Sequence, residues 1–135
     1  GYAKGDEVLL CLAQCLRQTV DLSCDFVGHI GGDDFLLALA SADWRTRLNS
    51  LQMDFQRESR RFYRAEHLLN GCFTALNRKG RWEEYPLLSL SLGVVTLTSA
   101  ACSQFDEDEL AALASEAKRQ AKAVPGYSLH ILRAG

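Results

Sequence analysis

Asp25-Phe26-Val27-Gly28-His29-Ile30-Gly31-Gly32-Asp33-Asp34-Phe35-Leu36-Leu37-Ala38-Leu39 decides how the chain is read. Asp25 to Ile30 has the length and apolar character of a strand, and Phe35 to Leu39 is a second such run. Gly31-Gly32 between them supplies the backbone freedom of a tight turn, so the two runs predict a hairpin with Asp33-Asp34 at its tip. Before it, Val8, Leu9, Leu12, Leu16 and Val20 recur at helical spacing, which predicts a helix over 6–20. After it, Trp44, Leu48, Leu51 and Phe55 form one stripe and predict a helix over 43–55, with the basic stretch 57–64 continuing or leaving it.

The second half follows the same logic. Residues 72–76 and 82–85 flank Asn77-Arg78-Lys79-Gly80-Arg81, a second hairpin turn. Leu88, Leu90, Leu92 and Val94 alternate with small residues at the period of a strand. Asp106 with Glu109 has the spacing of a capping box and opens a helix over 106–123 that Pro125-Gly126 stops. Residues 127–132 read as a last strand. Helices interleaved with strands and hairpins predict an α/β fold, an α+β sandwich with helices packed on a sheet.

Composition narrows the class. The 135 residues are 47% hydrophobic and 24% charged, which suits one globular domain spanning 1–135 and excludes disorder. A net charge of -2 argues against a dedicated nucleic-acid binder. No apolar run approaches the ~20 residues of a membrane span, and no signal-peptide pattern is visible in these residues, so neither a span nor a signal peptide is expected in them. Cys11, Cys15, Cys24, Cys72 and Cys102 contain no C-x-x-C pair, and His29, His67 and His130 do not complete a zinc set, so buried free thiols in a reducing cytoplasm are expected. Arg57, Arg60, Arg61 and Arg64 are diluted by Glu58 and Glu66 and read as a solvated helix face or an interdomain contact. Trp44 and Trp82 read as core or interface anchors.

The chemistry concentrates at Gly31-Gly32-Asp33-Asp34. Glycines let a ligand approach the backbone closely. Adjacent carboxylates are hard oxygen donors suited to Mg²⁺ on phosphate oxygens, and their mutual repulsion favours a bound cation. A plain turn is the alternative reading of the same residues.

Gly31-Gly32-Asp33-Asp34-Phe35 resembles the signature of the GGDEF family, the diguanylate cyclase domains. Gly1-Tyr2-Ala3-Lys4-Gly5-Asp6-Glu7-Val8-Leu9 is similar to that family's G-H-x-x-G-D-x-x-L segment, with Tyr2 at the His position. Ser89-Leu90-Ser91-Leu92-Gly93-Val94 is similar to its T-x-S-x-G strand, and Ala121-Lys122 to the A-K pair of its last long helix. Phe26-Val27-Gly28-His29-Ile30, Phe62-Tyr63, Asn70-Gly71 and Pro86 to Ser91 resemble the GGDEF domain that closes composite proteins carrying EAL and CBS domains in the same polypeptide.

The resemblance implies a nucleotidyl-cyclase-like central, mostly antiparallel sheet flanked by helices. It implies cytoplasmic cyclic di-GMP signalling, in which active members condense two GTP molecules across a homodimer, with Mg²⁺ or Mn²⁺ expected only when GTP is bound. By position, Asp33 would bind metal and help activate the attacking hydroxyl, with Asp34 at the other acidic catalytic position. Gly31 and Gly32 would lie against the nucleotide. Asp6 would accept hydrogen bonds from guanine, or else cap the first helix. Lys122 would pair with terminal phosphates, or else stand as a solvated lysine.

The departures from the family pattern shape the functional expectation. The chain starts after the family's first strand and helix, so it corresponds to the C-terminal three quarters of the family domain. Asp34 replaces Glu, His29 stands where active members carry Arg, and Ala123-Val124-Pro125-Gly126-Tyr127 replaces a G-R-N ending. The product-inhibition motif R-x-x-D reads Leu22-Ser23-Cys24-Asp25, leaving Asp25 as its remnant or as a turn residue. The expected function is therefore a degenerate, regulatory, GTP- or cyclic di-GMP-binding domain of a larger bacterial protein. An active cyclase when full length, and a purely structural dimerisation domain, are the alternatives.

Overall fold

The computed structural model describes residues 2–134 and the side chains of residues 5–134. Gly1 and the side chains of Tyr2, Ala3 and Lys4, which open the G-H-x-x-G-D-like segment, lie outside that description. The architecture is mixed helix and strand, divided into two compact units, Gly1–Leu88 and Ser89–Gly135.

The first unit opens with α1 (Tyr2–Thr19), followed by strands β1 (Phe26–Gly31) and β2 (Asp34–Ala38) and by α2 (Trp44–Ser59). Helix α1 begins earlier than the apolar stripe predicts, because Tyr-Ala-Lys contains no breaker and a single Gly5 costs a helix only about 1 kcal/mol. Asp6 thus stands inside the helix and does not cap it. Helices α1 and α2 pack face to face. Cys11, Leu12, Cys15 and Leu16 from α1 meet Leu48, Leu51 and Phe55 from α2 in the buried core. The two cysteines sit i,i+4 on the core face, as their spacing predicts. Burial, and then its neighbour Cys11, push the Cys15 thiol up to about 11. All five cysteines are free, but Cys24 and Cys102 are exposed, which corrects the expectation that the thiols are buried. Cys24 is exposed because it lies in the turn after α1, outside any apolar stripe.

Helix α2 runs into a 3₁₀ turn (Arg60–Phe62), and a short α3 (Ala65–Asn70) leads to β3 (Cys72–Leu76) and β4 (Trp82–Pro86). Gly71, at φ 71°, ends α3 in the left-handed conformation that glycine adopts without cost.

The second unit contains β5 (Ser91–Leu97), α4 (Ser99–Cys102), α5 (Glu107–Lys122) and β6 (Ser128–Ala134). Asp106 caps α5 as the spacing predicts: the Glu109 N–H donates to Asp106 Oδ1 at 2.8 Å, and the Asp106 N–H to Glu109 Oε1 at 3.3 Å. Strands β5 and β6 pair in parallel over Ser91↔Ser128 to Leu97↔Ala134. Parallel neighbours need a long crossover, which α5 supplies while packing on both strands. A Cβ on Gly93 would lie 2.3 Å from the Lys118 backbone N and 2.5 Å from the Ala117 carbonyl carbon. The glycine of β5 and the buried alanines 117 and 121 of α5 therefore let helix and strand backbones nearly touch.

Where the resemblance implies one central, mostly antiparallel sheet, the described strands pair two by two. Strands β1–β2 and β3–β4 are antiparallel, and β5–β6 are parallel. The antiparallel pairs are joined by a two-residue turn and a five-residue loop, and the parallel pair by a crossover through α4 and α5.

Candidate functional site

The signature residues build the tip of the β1–β2 hairpin. The strands pair regularly from Phe26↔Ala38 to His29↔Phe35, then slip by one to Gly31↔Asp34. Ile30 is the extra residue of a β-bulge, and the turn is carried by Gly32-Asp33 rather than Gly31-Gly32. Gly32 has φ 55°, and no described non-glycine residue has positive φ, so the first loop residue alone is left-handed. That is the φ pattern of a II′ turn, whose twist matches the flanking strands. A side chain at Gly32 would be strained by conformation, although the space around it is open.

Two contacts hold this tip. The His29 ring stacks on Phe35 across the strands, with centroids 4.3 Å apart and planes 9° from parallel. His29 Nε2 lies 2.8 Å from the Gly32 carbonyl oxygen. A carbonyl only accepts, so Nε2 carries the proton and donates. The imidazole that precedes the turn is thus folded back on it. On the opposite face, Phe26 lies over Gly28, 2.9 Å from where a Cβ would be.

Asp33 is exposed at the apex, whereas Asp34 is the half-buried first residue of β2 and is engaged within the fold. The structure therefore brings Gly31, Gly32, Asp33 and Asp34 together at one tip. Asp6 is exposed on α1, and among the described residues no hydrogen bond or ion pair ties its carboxylate to the tip. Lys122 is the last residue of α5 in the second unit.

Asp25 has a different office. Its side chain is fully buried, with 0% exposure, and its carboxylate is saturated. The Ala40 N–H donates to Oδ1 at 2.8 Å, and the Asp21 N–H donates to Oδ2 at 2.9 Å. Arg47 Nη2 donates to Oδ2 at 2.7 Å. These bonds, with the Ala40 and Asp21 amides ahead of Arg47, hold the carboxyl well below the usual carboxylate range. Arg47 also donates to the Thr19 carbonyl at the end of α1 and to Ser41 Oγ. The Asp25–Arg47 pair therefore joins the end of α1, the start of β1, the exit of β2 and the first turns of α2. It is the strut that aims this hairpin, and its carboxylate is closed to solvent.

The donors at the tip do not make a metal centre by themselves. Mg²⁺ takes near-octahedral oxygen coordination. Among the described residues no group of three or more His, Cys, Asp and Glu stands together to hold an ion.

Sequence reading misses two groups. Arg47 carries no local motif, since its role comes only from where α2 lands. The second group is the aromatic set Tyr63, His67, Phe73 and Tyr85, with neighbouring centroids 5.6–6.5 Å apart. Tyr63 Oη accepts from the Leu88 N–H at 2.7 Å. Beside this set, Glu66, His67, Asn70, Cys72, Phe73, Thr74 and Glu84 line an open groove of about 560 Å³. The sequence reading marks Phe62-Tyr63 and Asn70-Gly71 as part of the resemblance, and His67 and Cys72 only in weighing a zinc set, without bringing them together.

No family model, no curated protein and no solved structure matches the chain.

Proposed function

We propose that the chain is a GGDEF-type domain that binds a guanosine nucleotide and acts as a regulatory module in cyclic di-GMP signalling. The observation that carries this reading is the form of the signature segment. Residues 31–34 make a bulged hairpin tip, with both glycines at positive φ and the Asp33 carboxylate exposed at the apex. Such a tip leaves room for a nucleotide to lie against the turn backbone, with Asp33 accepting its hydroxyls or pairing with a cation that accompanies its phosphates.

Two features support a regulatory rather than a catalytic role. No third His, Cys, Asp or Glu stands with the tip carboxylates among the described residues, so the acidic set that would hold a catalytic cation is not assembled by these residues. The cation expected before the turn is replaced by His29, whose ring is committed to Phe35 and Gly32. A homodimer, and EAL and CBS domains in the same polypeptide, belong to the same proposal, as does cytoplasmic residence. No helix of the described residues is long and apolar enough to cross a membrane.

Calorimetric titration with GTP and Mg²⁺, paired with chromatography for cyclic di-GMP, tests the reading. Binding that Asp33→Ala weakens, with no product at high protein concentration, is expected. Product formation would replace regulation by catalysis. A well-folded chain that takes up no nucleotide would leave only the structural role.

A further inference from the structure

The β3–β4 hairpin ends in a second tip of different chemistry. Leu76 and Trp82 are register partners at its last rung, and they remain 57% and 72% exposed. Cross-strand partners share one sheet face, so an aliphatic side chain and an indole stand together in water. The loop above them holds Arg78, Lys79 and Arg81, all exposed. Among the described residues none of these three cations has an ion pair or side-chain hydrogen bond.

The tip is rigid as well as charged. The Asn77 N–H donates to the Arg81 carbonyl at 2.8 Å, and the Gly80 N–H donates to the Asn77 carbonyl at 3.0 Å. Asn77 Oδ1 accepts from the Lys79 and Arg81 amides at 2.9 and 3.0 Å. Gly80, at φ 74°, turns the chain. The nearest acid in sequence, Glu83, projects to the other sheet face, where Asn77 Nδ2 and Tyr85 Oη donate to it at 3.3 and 3.2 Å. Glu84 shares the Trp82 face but sits two residues back, about 7 Å by strand rise. The leading edge is thus cationic and apolar together.

We propose that this tip docks on the surface of an anionic lipid bilayer. Trp82 and Leu76 would enter the boundary between headgroups and acyl chains, while Arg78, Lys79 and Arg81 meet lipid phosphates. Indole rings favour that boundary, and each basic residue near an anionic leaflet adds about fivefold to partitioning. Single-stranded nucleic acid fits the same charges less well. Its bases would stack on Trp82, but Leu76 offers no stacking face and gains from burial in an apolar layer.

The test is cosedimentation of the 135-residue chain with phosphatidylcholine vesicles, and with vesicles that also contain phosphatidylglycerol. The chain is expected to pellet with the anionic vesicles only, and to be released by salt. R78A/K79A should weaken partitioning about thirtyfold, and W82A at least about tenfold. Circular dichroism should show both variants folded, since every substituted side chain is exposed. Equal pelleting with both vesicles, no pelleting with either, or binding indifferent to both variants would overturn the proposal. So would binding to single-stranded RNA with the vesicles left behind.

Discussion

Arg47 and Asp25 meet at 2.7 Å between the first turn of α2 and the threshold of β1, and the carboxylate they share is closed to solvent. The depressed Asp25 carboxyl makes the fold pH-dependent in a definite direction. A folded-state pKa below the unfolded value of about 3.8 contributes stability that is fully present above that value. It is lost as pH falls through the lower folded value. Asp25→Asn should therefore lower the melting temperature at neutral pH and flatten its fall below pH ~4. Melting curves across that range check it, and an unchanged acid limb in the variant would refute the strut.

Glu116 offers a contrast in the second unit. Arg119, and then Gln120, lower its carboxyl to about 2. The pair meets on an exposed helix face, so salt screens it. Glu116→Gln should leave stability nearly unchanged at moderate ionic strength, and any loss it causes should appear only at low salt.

Gly93→Ala is expected to destabilise the chain by about 2 kcal/mol or more, because the new methyl would meet helix backbone rather than a movable side chain. Denaturant unfolding measures it. The companion substitution Asp106→Ala removes the α5 cap, and about 1 kcal/mol with it. A Gly93→Ala variant as stable as the parent would mean that α5 does not sit on β5 as described.

Thiol labelling orders the cysteines. Cys24 and Cys102 should react promptly near neutral pH, while the buried Cys11 and Cys15 should not until the fold opens. Cys15 stays a neutral thiol because its pKa is pushed up to about 11. Cys24 should lag behind Cys102, since its surroundings, and then the charges of Asp21 and Asp25, raise its pKa. Mass spectrometry of alkylated peptides reads the order directly.

Much of this architecture is legible in the residues, and the gaps have physical causes. The β3 bounds and the Asp106–Glu109 cap are read correctly, and β4 ends one residue later than read, because turn and cap chemistry is local. The β1–β2 turn is displaced by one residue, because a bulge at Ile30 shifts register without disturbing the apolar pattern. Helix α3, with six residues, and α4, with four, are too short to show periodicity. The parallel pairing of β5 and β6 depends on where α5 returns the chain, and Arg47's partnership with Asp25 depends on helix placement. No window of neighbouring residues encodes either. At the candidate site, the sequence locates the tip residues, but not the division between an exposed Asp33 and an engaged Asp34.

The most direct measurement is a two-dimensional ¹H–¹⁵N titration of the chain with GTP and Mg²⁺, because it reports where a nucleotide sits. Saturable shifts of the Gly31, Gly32 and Asp33 amides, abolished by Asp33→Ala, are expected if the signature tip receives the nucleotide. Unmoved tip amides at saturating GTP, or shifts confined to other parts of the chain, would contradict it.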